Sequence, residues 1–468
     1  MTDWIESFTQ SFPTDSWSIG AGELTSYSLD SWPLAIKLFQ TGQTPYLPDL
    51  VFHARSSEEV VNLLKWADGH HVPVTAWGAG SGVVGAALAT QGGIMLDLSH
   101  LNKILALDET NLMVKVQAGI MGDHLEKELN SRGYTLNHSP QSLNRSTVGG
   151  WVATRAAGQF SSRWGNIEDF TMAVTVALAH GQIITTRLAP RAAIGPDIKN
   201  IFIGSEGTLG IILEVTLKIF PLAETRFFET ISFPSVEIGL TGMRRLMQSG
   251  LRPFLIRLYD GDESIFVARW SGIVPPSKAN LFLLGCEGLR EMAQSEFRLA
   301  KQILQSHGGE ILGPEVTQGW MEHRFDFSSV ENRLAQPGGV AETIEVASLW
   351  DGILETYQAL KKNLLPFAEY VLGHFSHAYP QGVSLYIILL GDAANASEAE
   401  ARLRKIWEVA MRTSMEHDAA ISHHHSIGLA RQEYLREELD SSYWVLEQIK
   451  NALDPAGILN PGKLGFRR

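Results

Sequence analysis

Three consecutive histidines, His423, His424 and His425, stand in the run ISHHHSIG near the end of this 468-residue chain. Imidazoles in that number suit two chemistries, metal ligation and proton transfer near neutral pH. In an extended segment alternate side chains share a face, so His423 and His425 point one way and His424 the other. His374 and His377, in GHFSHAYPQG, could complete a set of three or four ligands. A second chemistry is written in glycine. TAWGAGSGVVG brings Gly78, Gly80, Gly82 and Gly85 directly after a predicted strand. Glycine there lets backbone N–H groups approach an anion closely. The run is not a Walker A loop, because no Gly-Lys-Ser/Thr follows, and it lacks the helix and later acidic residue of a Rossmann fingerprint. Two further stretches, STVGGWVATRAAGQFSSRWGNIED and GPDIKNIFIGSEGTLG, are rich in Gly, Ser and Thr and are read as loops. Three such loops suit a long groove of backbone donors that takes an extended dinucleotide.

The elements that must carry these residues follow from periodicity. After a lead-in with helix, 1–47, the segment PDLVFHARSSEEVVNLLKWADGHHVPVTAW reads as strand, capped helix and strand, with Ser56 or Ser57 at the cap. Hairpins are predicted around DETN and at His180-Gly181, and a short helix closed by Gly133 lies between them. Residues 48–225 therefore form a strand-rich domain. From 226 to 430 the order strand, helix, strand recurs three times, ending on VSLYIILLG, ASEAEARLRKIWEVAMRTSMEH and AAIS. That pattern predicts an α+β domain whose antiparallel sheet is covered by helices. Residues 431–468 are helical and close on a Gly/Pro-rich tail.

Composition narrows the partners. Hydrophobic residues make up 44% and charged residues 19%, so a large core is expected. A net charge of -13 argues against nucleic acid, which needs a basic surface. The one cysteine, Cys286, lies in the apolar run LFLLGCEG and is expected to be a buried hydrophobe. No signal peptide and no membrane span are read, so the expected location is cytoplasmic, with room for peripheral contact with a bilayer.

The motifs PDLVFHARSSEEV, WGAGSG, STVGG, GNIED, GSEGTLGI and LDPAGILNPGK fall in the order of the vanillyl-alcohol oxidase superfamily, and the chain resembles its PCMH-type FAD-binding domain. The resemblance implies two α+β subdomains holding FAD, with a cap domain over the isoalloxazine. It implies that Trp77, Gly78, Ala79, Gly80, Ser81, Gly82 and Val83 wrap the diphosphate. Ser146, Thr147, Gly149 and Gly150 would lie along the diphosphate and ribityl chain, with Trp164 and Asn166 in the same cofactor set. Glu206, Gly207 and Ile212 would hold the adenine or flavin side. No Cys lies near these loops and no His lies in WGAGSG, so the FAD is expected to be non-covalent.

Within the superfamily, STVGGWVATRAAGQ, WGNIED, GPDI, IRLYD, SLYI and SHHHSIG resemble the alkylglycerone-phosphate synthase (alkyl-dihydroxyacetonephosphate synthase) family. Here Gln141 stands where that family has Asp. The resemblance implies exchange of acyl for alkyl on acyl-dihydroxyacetone phosphate through a flavin N5 adduct, without net redox change. Tyr386 matches the family's catalytic tyrosine, with His424 or His425 orienting it and lowering its pKa. Arg257 matches a cap arginine, and Arg333 is a second substrate-binding candidate with His374 and His377. The alternative is a FAD-dependent D-2-hydroxy-acid dehydrogenase or oxidase, of the lactate or glycolate type. That branch carries Gly-Glu-His-Gly where this chain has the histidine run, and it uses the Glu for a metal. With His424 in the Glu position, no metal is expected. A small-molecule or lipid substrate and a homodimer complete the expectations.

Overall fold

The computed structural model describes residues 3–269 and 279–466. Leu50–His53, Ile94–Asp97 and Val74–Trp77 pair in parallel, and Trp17–Ser18 adds an antiparallel edge. The helix Ser57–His70 begins where Ser56 accepts the amide of Glu59, and it buries Val60, Leu63, Leu64 and Ala67. That spacing puts one apolar stripe on one face. A second sheet of five antiparallel strands includes the hairpin Ile104–Asp108 with Met113–Gln117 and the hairpin Thr171–Ala177 with Ile183–Thr185.

The stretch expected to be one long loop after Ser146 is instead three short helices, Val148–Thr154, Ser161–Trp164 and Ile167–Phe170. Another, Lys199–Phe202, interrupts the third predicted loop. Close approach replaces the missing apolar stripe here: a Cβ on Gly149 would meet the Ala118 side chain at 2.6 Å. Tertiary packing, not propensity, makes this segment helical.

The predicted α+β domain has one antiparallel sheet of seven strands. From edge to edge they are Glu310–Gly313, Thr225–Phe233, Asn280–Gly288, Leu255–Tyr259, Tyr370–Ala378, Gly382–Asp392 and Gly339–Leu349. The helices Val236–Gln248, Arg290–Ser306, Ile353–Leu364 and Ala396–Glu416 pack on it, sharing a core that includes Phe233, Leu258, Phe282, Phe375, Leu385 and Ile406. Cys286 is fully buried in that core. The strands Gly339–Leu349 and Tyr370–Ala378 escape the sequence pattern. The strand expected at AAIS is only a single bridge, Ala347 with Ala420, because the chain turns there into the histidine run. No helix among the described residues is long and apolar enough to cross a membrane.

The C-terminal tail returns beneath the glycine loop. Leu459 bridges Val74 in parallel. The Asn460 amide donates to Ala86 O at 3.0 Å and to Glu206 O at 2.6 Å, and Lys463 Nζ donates to Leu88 O. Asn460 also holds a φ of 38°, which asparagine tolerates better than alanine. Asn460→Ala should cost about 3 kcal/mol, because two buried carbonyls lose their donor. Chemical denaturation checks this; an unchanged midpoint would remove the tail from the fold's support.

Candidate active site

Register across the cap sheet sets the site. Tyr259 lies opposite His374, His374 opposite Tyr386, and Tyr386 opposite Glu345. Directly opposed residues share a face, so one row of four side chains crosses four strands. Arg257, two residues before Tyr259, joins that face.

Arg257 is 8% exposed. Its Nε donates to the Tyr259 hydroxyl at 2.7 Å, its Nη2 donates to His374 Nε2 at 2.6 Å, and its guanidinium lies 5.0 Å from the Trp320 ring. With Nε2 accepting, the His374 proton sits on Nδ1 and is donated to Glu263 at 2.8 Å. Burial pushes the Glu263 carboxyl up to about 8 against the pull of Arg257 and Lys361, and burial drives His374 well below its ordinary value. The His374 ring stacks on Tyr386 with centroids 5.0 Å apart.

The phenol of Tyr386 does not have the lowered pKa expected for it. Burial raises it above all, the carboxylates of Glu345 and Glu342 add to that rise, and the Thr343 side chain and then Arg257 only partly oppose it. Tyr386 is therefore a protonated donor at neutral pH.

Two carboxylates hold the histidine run from opposite domains. Glu345 of the cap accepts the backbone amides of His423, His424 (3.1 Å) and His425 (2.9 Å), and the Ser422 hydroxyl at 2.8 Å. Arg431 Nη2 lies 3.0 Å from it, and both side chains are fully buried. Burial alone would raise this carboxyl. Arg431 and the nearby histidines override that effect and hold it far below its usual range. Glu206, expected at the adenine or flavin side, has a φ of 51° and turns its carboxylate to the same run. It accepts the Ser426 hydroxyl and the amides of Ile427 (2.8 Å) and Gly428 (3.0 Å). Glu206 thus fastens the cap's loop to the glycine-rich domain.

A cavity of about 570 Å³ lies between the two domains. Its walls include the Trp77–Val83 loop, Ser146, Thr147, Gly149, Gly150, Glu206, Gly207 and Ile212 on one side. Arg257, His374, His377, Tyr386, His424 and His425 line the other. Four candidates are not on these walls. His423 lies behind His424, with Nδ1 atoms 2.9 Å apart. Arg333 pairs with Asp392 at 2.5 Å beside a separate cleft with Phe266 and Tyr370, since its helix turns that face away. Trp164 donates to Glu287 at 2.9 Å and packs on Phe220. Asn166 caps the helix Ile167–Phe170 and donates to the Tyr379 hydroxyl at 2.9 Å.

No metal was expected, and the histidines that converge are not the set weighed from the sequence. Nitrogens of His377, His423 and His424 lie within 4.8 Å of one another, while His374 is engaged between Arg257 and Glu263. Glu345, Glu263 and Arg431 were missed from sequence. The available signal was two glutamates, Glu342 and Glu345, inside an otherwise apolar run, GVAETIEVASL.

The walls fit a flavin dinucleotide. A Cβ on Gly78 would meet Thr147 Oγ1 at 2.5 Å, and one on Gly80, whose φ is 63°, would meet the Trp77 ring at 2.4 Å. The loop is thus pressed flat on its neighbours, which leaves its backbone as the surface an anion can reach. Gln159, 8% exposed on the same wall, has an Oε1 without a protein partner, a ready acceptor for a ring N–H.

The family model for the FAD binding domain matches residues 48–187, and that for FAD linked oxidases, C-terminal domain, matches residues 222–464, just over half of the chain. The chain is 30% identical to an alkyldihydroxyacetonephosphate synthase of Caenorhabditis elegans, over 90% of this chain and 77% of that protein. It is 26% identical to the glycolate oxidase subunit GlcD of Bacillus subtilis (strain 168), over 95% and 92%. A solved alkyldihydroxyacetonephosphate synthase shares the fold, with a TM-score of 0.82 at 23% identity, covering 99% of this chain and 85% of that one.

Burial drives His423 and His424 down to about 3 and His425 to about 4, from 6.5. The unfolded chain therefore takes up protons below 6.5 that the folded chain refuses, so stability is lost as pH falls from 6.5. Denaturation between pH 7.5 and 5 should show this slope, and His424→Gln should flatten it. Equal slopes would mean that the ring is not held neutral. Glu345→Ala, which strands Arg431, should cost about 3–5 kcal/mol in the same assay.

Proposed function

The chain belongs to the FAD-linked oxidases and is a flavoenzyme, and we propose that it exchanges the acyl group of an acyl-dihydroxyacetone phosphate for an alkyl group. The observation that carries this reading is the row Arg257–His374–Tyr386 beside His424 and His425 on one cavity wall. Among the described residues Arg257 is answered by a carboxylate only through His374, so it keeps attraction for the phosphate of a substrate. Tyr386 supplies a proton beside the reacting carbon, and its stacking on His374 fixes the ring. His424 and His425 stay neutral and serve as partners for the departing and arriving oxygens. The cavity wall also carries the apolar side chains Ile36, Phe327, Val330 and Leu334, which suit an acyl chain, with the Arg145–Glu331 ion pair beside them. FAD, which the glycine loop would hold non-covalently, would supply an electron-accepting isoalloxazine. Similarity to the synthase of Caenorhabditis elegans supports the same reading.

Similarity to the glycolate oxidase subunit favours a second reading, oxidation of a D-2-hydroxy acid. There Arg257 would hold the carboxylate and His425, kept neutral by burial, would take the hydroxyl proton.

Anaerobic mixing separates the two. Under the first reading, labelled fatty alcohol enters acyl-dihydroxyacetone phosphate without an electron acceptor, and D-lactate or glycolate leaves the flavin oxidised. Bleaching by either hydroxy acid, with no label incorporated, would replace the first reading by the second. Tyr386→Phe should lose activity at least about 100-fold while still binding flavin. Full turnover in that variant would remove Tyr386 from the chemistry.

A further inference from the structure

A chain of hydrogen bonds runs from outside the cavity wall to His424, through Asn166, Tyr379 and His423. Asn166 stands at the N-cap of the helix Ile167–Phe170, where Asp169 accepts its backbone amide. Its Nδ2 meets the Tyr379 hydroxyl at 2.9 Å, and its buried Oδ1 has no partner among the described residues. Ser161 lies 2.6 Å from His377 Nδ1 on the inner side of the same segment. With Asn166 Nδ2 donating to its oxygen, Tyr379 has His423 Nε2, 2.7 Å away, as the acceptor for its own hydrogen. An imidazole that accepts at Nε2 carries its proton on Nδ1 when neutral. His423 Nδ1 then donates to His424 Nδ1 at 2.9 Å. Glu345, at 3.7 Å from His424 Nδ1, is too far to take a hydrogen from it.

We infer that Asn166, Tyr379 and His423 are positioning residues that fix His424 with its single proton on Nε2, making it a hydrogen-bond donor to the cavity. The cavity is thereby given a donor imidazole whose polarity is set by residues that do not line it. This also accounts for Asn166, which was expected to touch the cofactor.

Asn166→Asp tests the polarity. Aspartate keeps the cap but can only accept, so the Tyr379 hydrogen turns to it and every bond behind it reverses. In holoenzyme labelled with 15N-histidine, with the resonance identified by its loss in His424→Gln, the wild-type proton should sit on Nε2. In Asn166→Asp it should move to Nδ1, and in Tyr379→Phe, which removes the link, the pure Nε2 form should be lost. A wild-type proton on Nδ1, or a tautomer indifferent to both substitutions, would overturn the inference. So would one equivalent of zinc retained after dialysis and lost in His377→Ala, because that needs a lone pair on His423 Nδ1. The kinetic arm rests on the proposed function: Asn166→Asp should lower kcat about 100-fold with KM changed less than about threefold. Unchanged kcat beside a moved proton would sink the use of His424 in the proposed reaction, while an unmoved proton sinks the chain itself.

Discussion

Glu345 is fully buried, and its charge survives because Arg431 and the backbone amides of three successive histidines converge on it. A carboxylate in such a place costs several kcal/mol of lost hydration, which only a charge partner with full hydrogen bonding offsets. That demand is what bends residues 422–425 around one point. The same strand register sets Glu345 opposite Tyr386 and Tyr386 opposite His374. Remove the carboxylate and the loop has no reason to present His424 and His425 to the cavity, while Arg431 becomes an unanswered buried cation.

The second anchor works across domains. Glu206 comes from the glycine-rich domain with a left-handed backbone, and it takes the continuation of the same loop. Asn460 in turn holds the carbonyl of Glu206. The histidine run is therefore clamped between a cap carboxylate and a carboxylate of the domain that takes the dinucleotide. Substrate groups and cofactor groups are kept in one geometry by short polar bonds, beside an apolar cluster that joins Trp32, Val84 and Leu88 to the cap's core. Around them burial keeps the imidazoles neutral, so they act through hydrogen-bond polarity and not through charge.

Much of the site was legible because its signals are local. Gly78 and Gly80 announce a backbone pressed against something, and the structure gives the neighbours as Thr147 and Trp77. Arg257 and Tyr386 sit in strands whose alternation is plain in the sequence, and both reach the cavity. Arg333, Trp164 and Asn166 lie off the cavity wall for one shared reason. Trp164 and Asn166 stand in a motif near the site and Arg333 stands in none, but position along the chain does not fix the side of a helix that faces inward. The direction of the Tyr386 shift also failed: a neighbouring histidine lowers a phenol only if it is charged, and burial keeps these histidines neutral.

By itself the sequence determined the α+β architecture, the glycine loops suited to a flavin dinucleotide, and the presence of a histidine run, because each is a matter of residue type and spacing along a few neighbours. Only the tertiary structure decided which histidines share a wall and which carboxylates hold them. It also selected Asn166 as a partner for Tyr379 instead of for the cofactor side. The reason is that those relations join residues 200 or more positions apart in some cases, such as Glu206 with Ser426 and Ser161 with His377. A carboxylate or hydroxyl that reads as ordinary in its own segment acquires its role from the strand register and the buried charge brought against it.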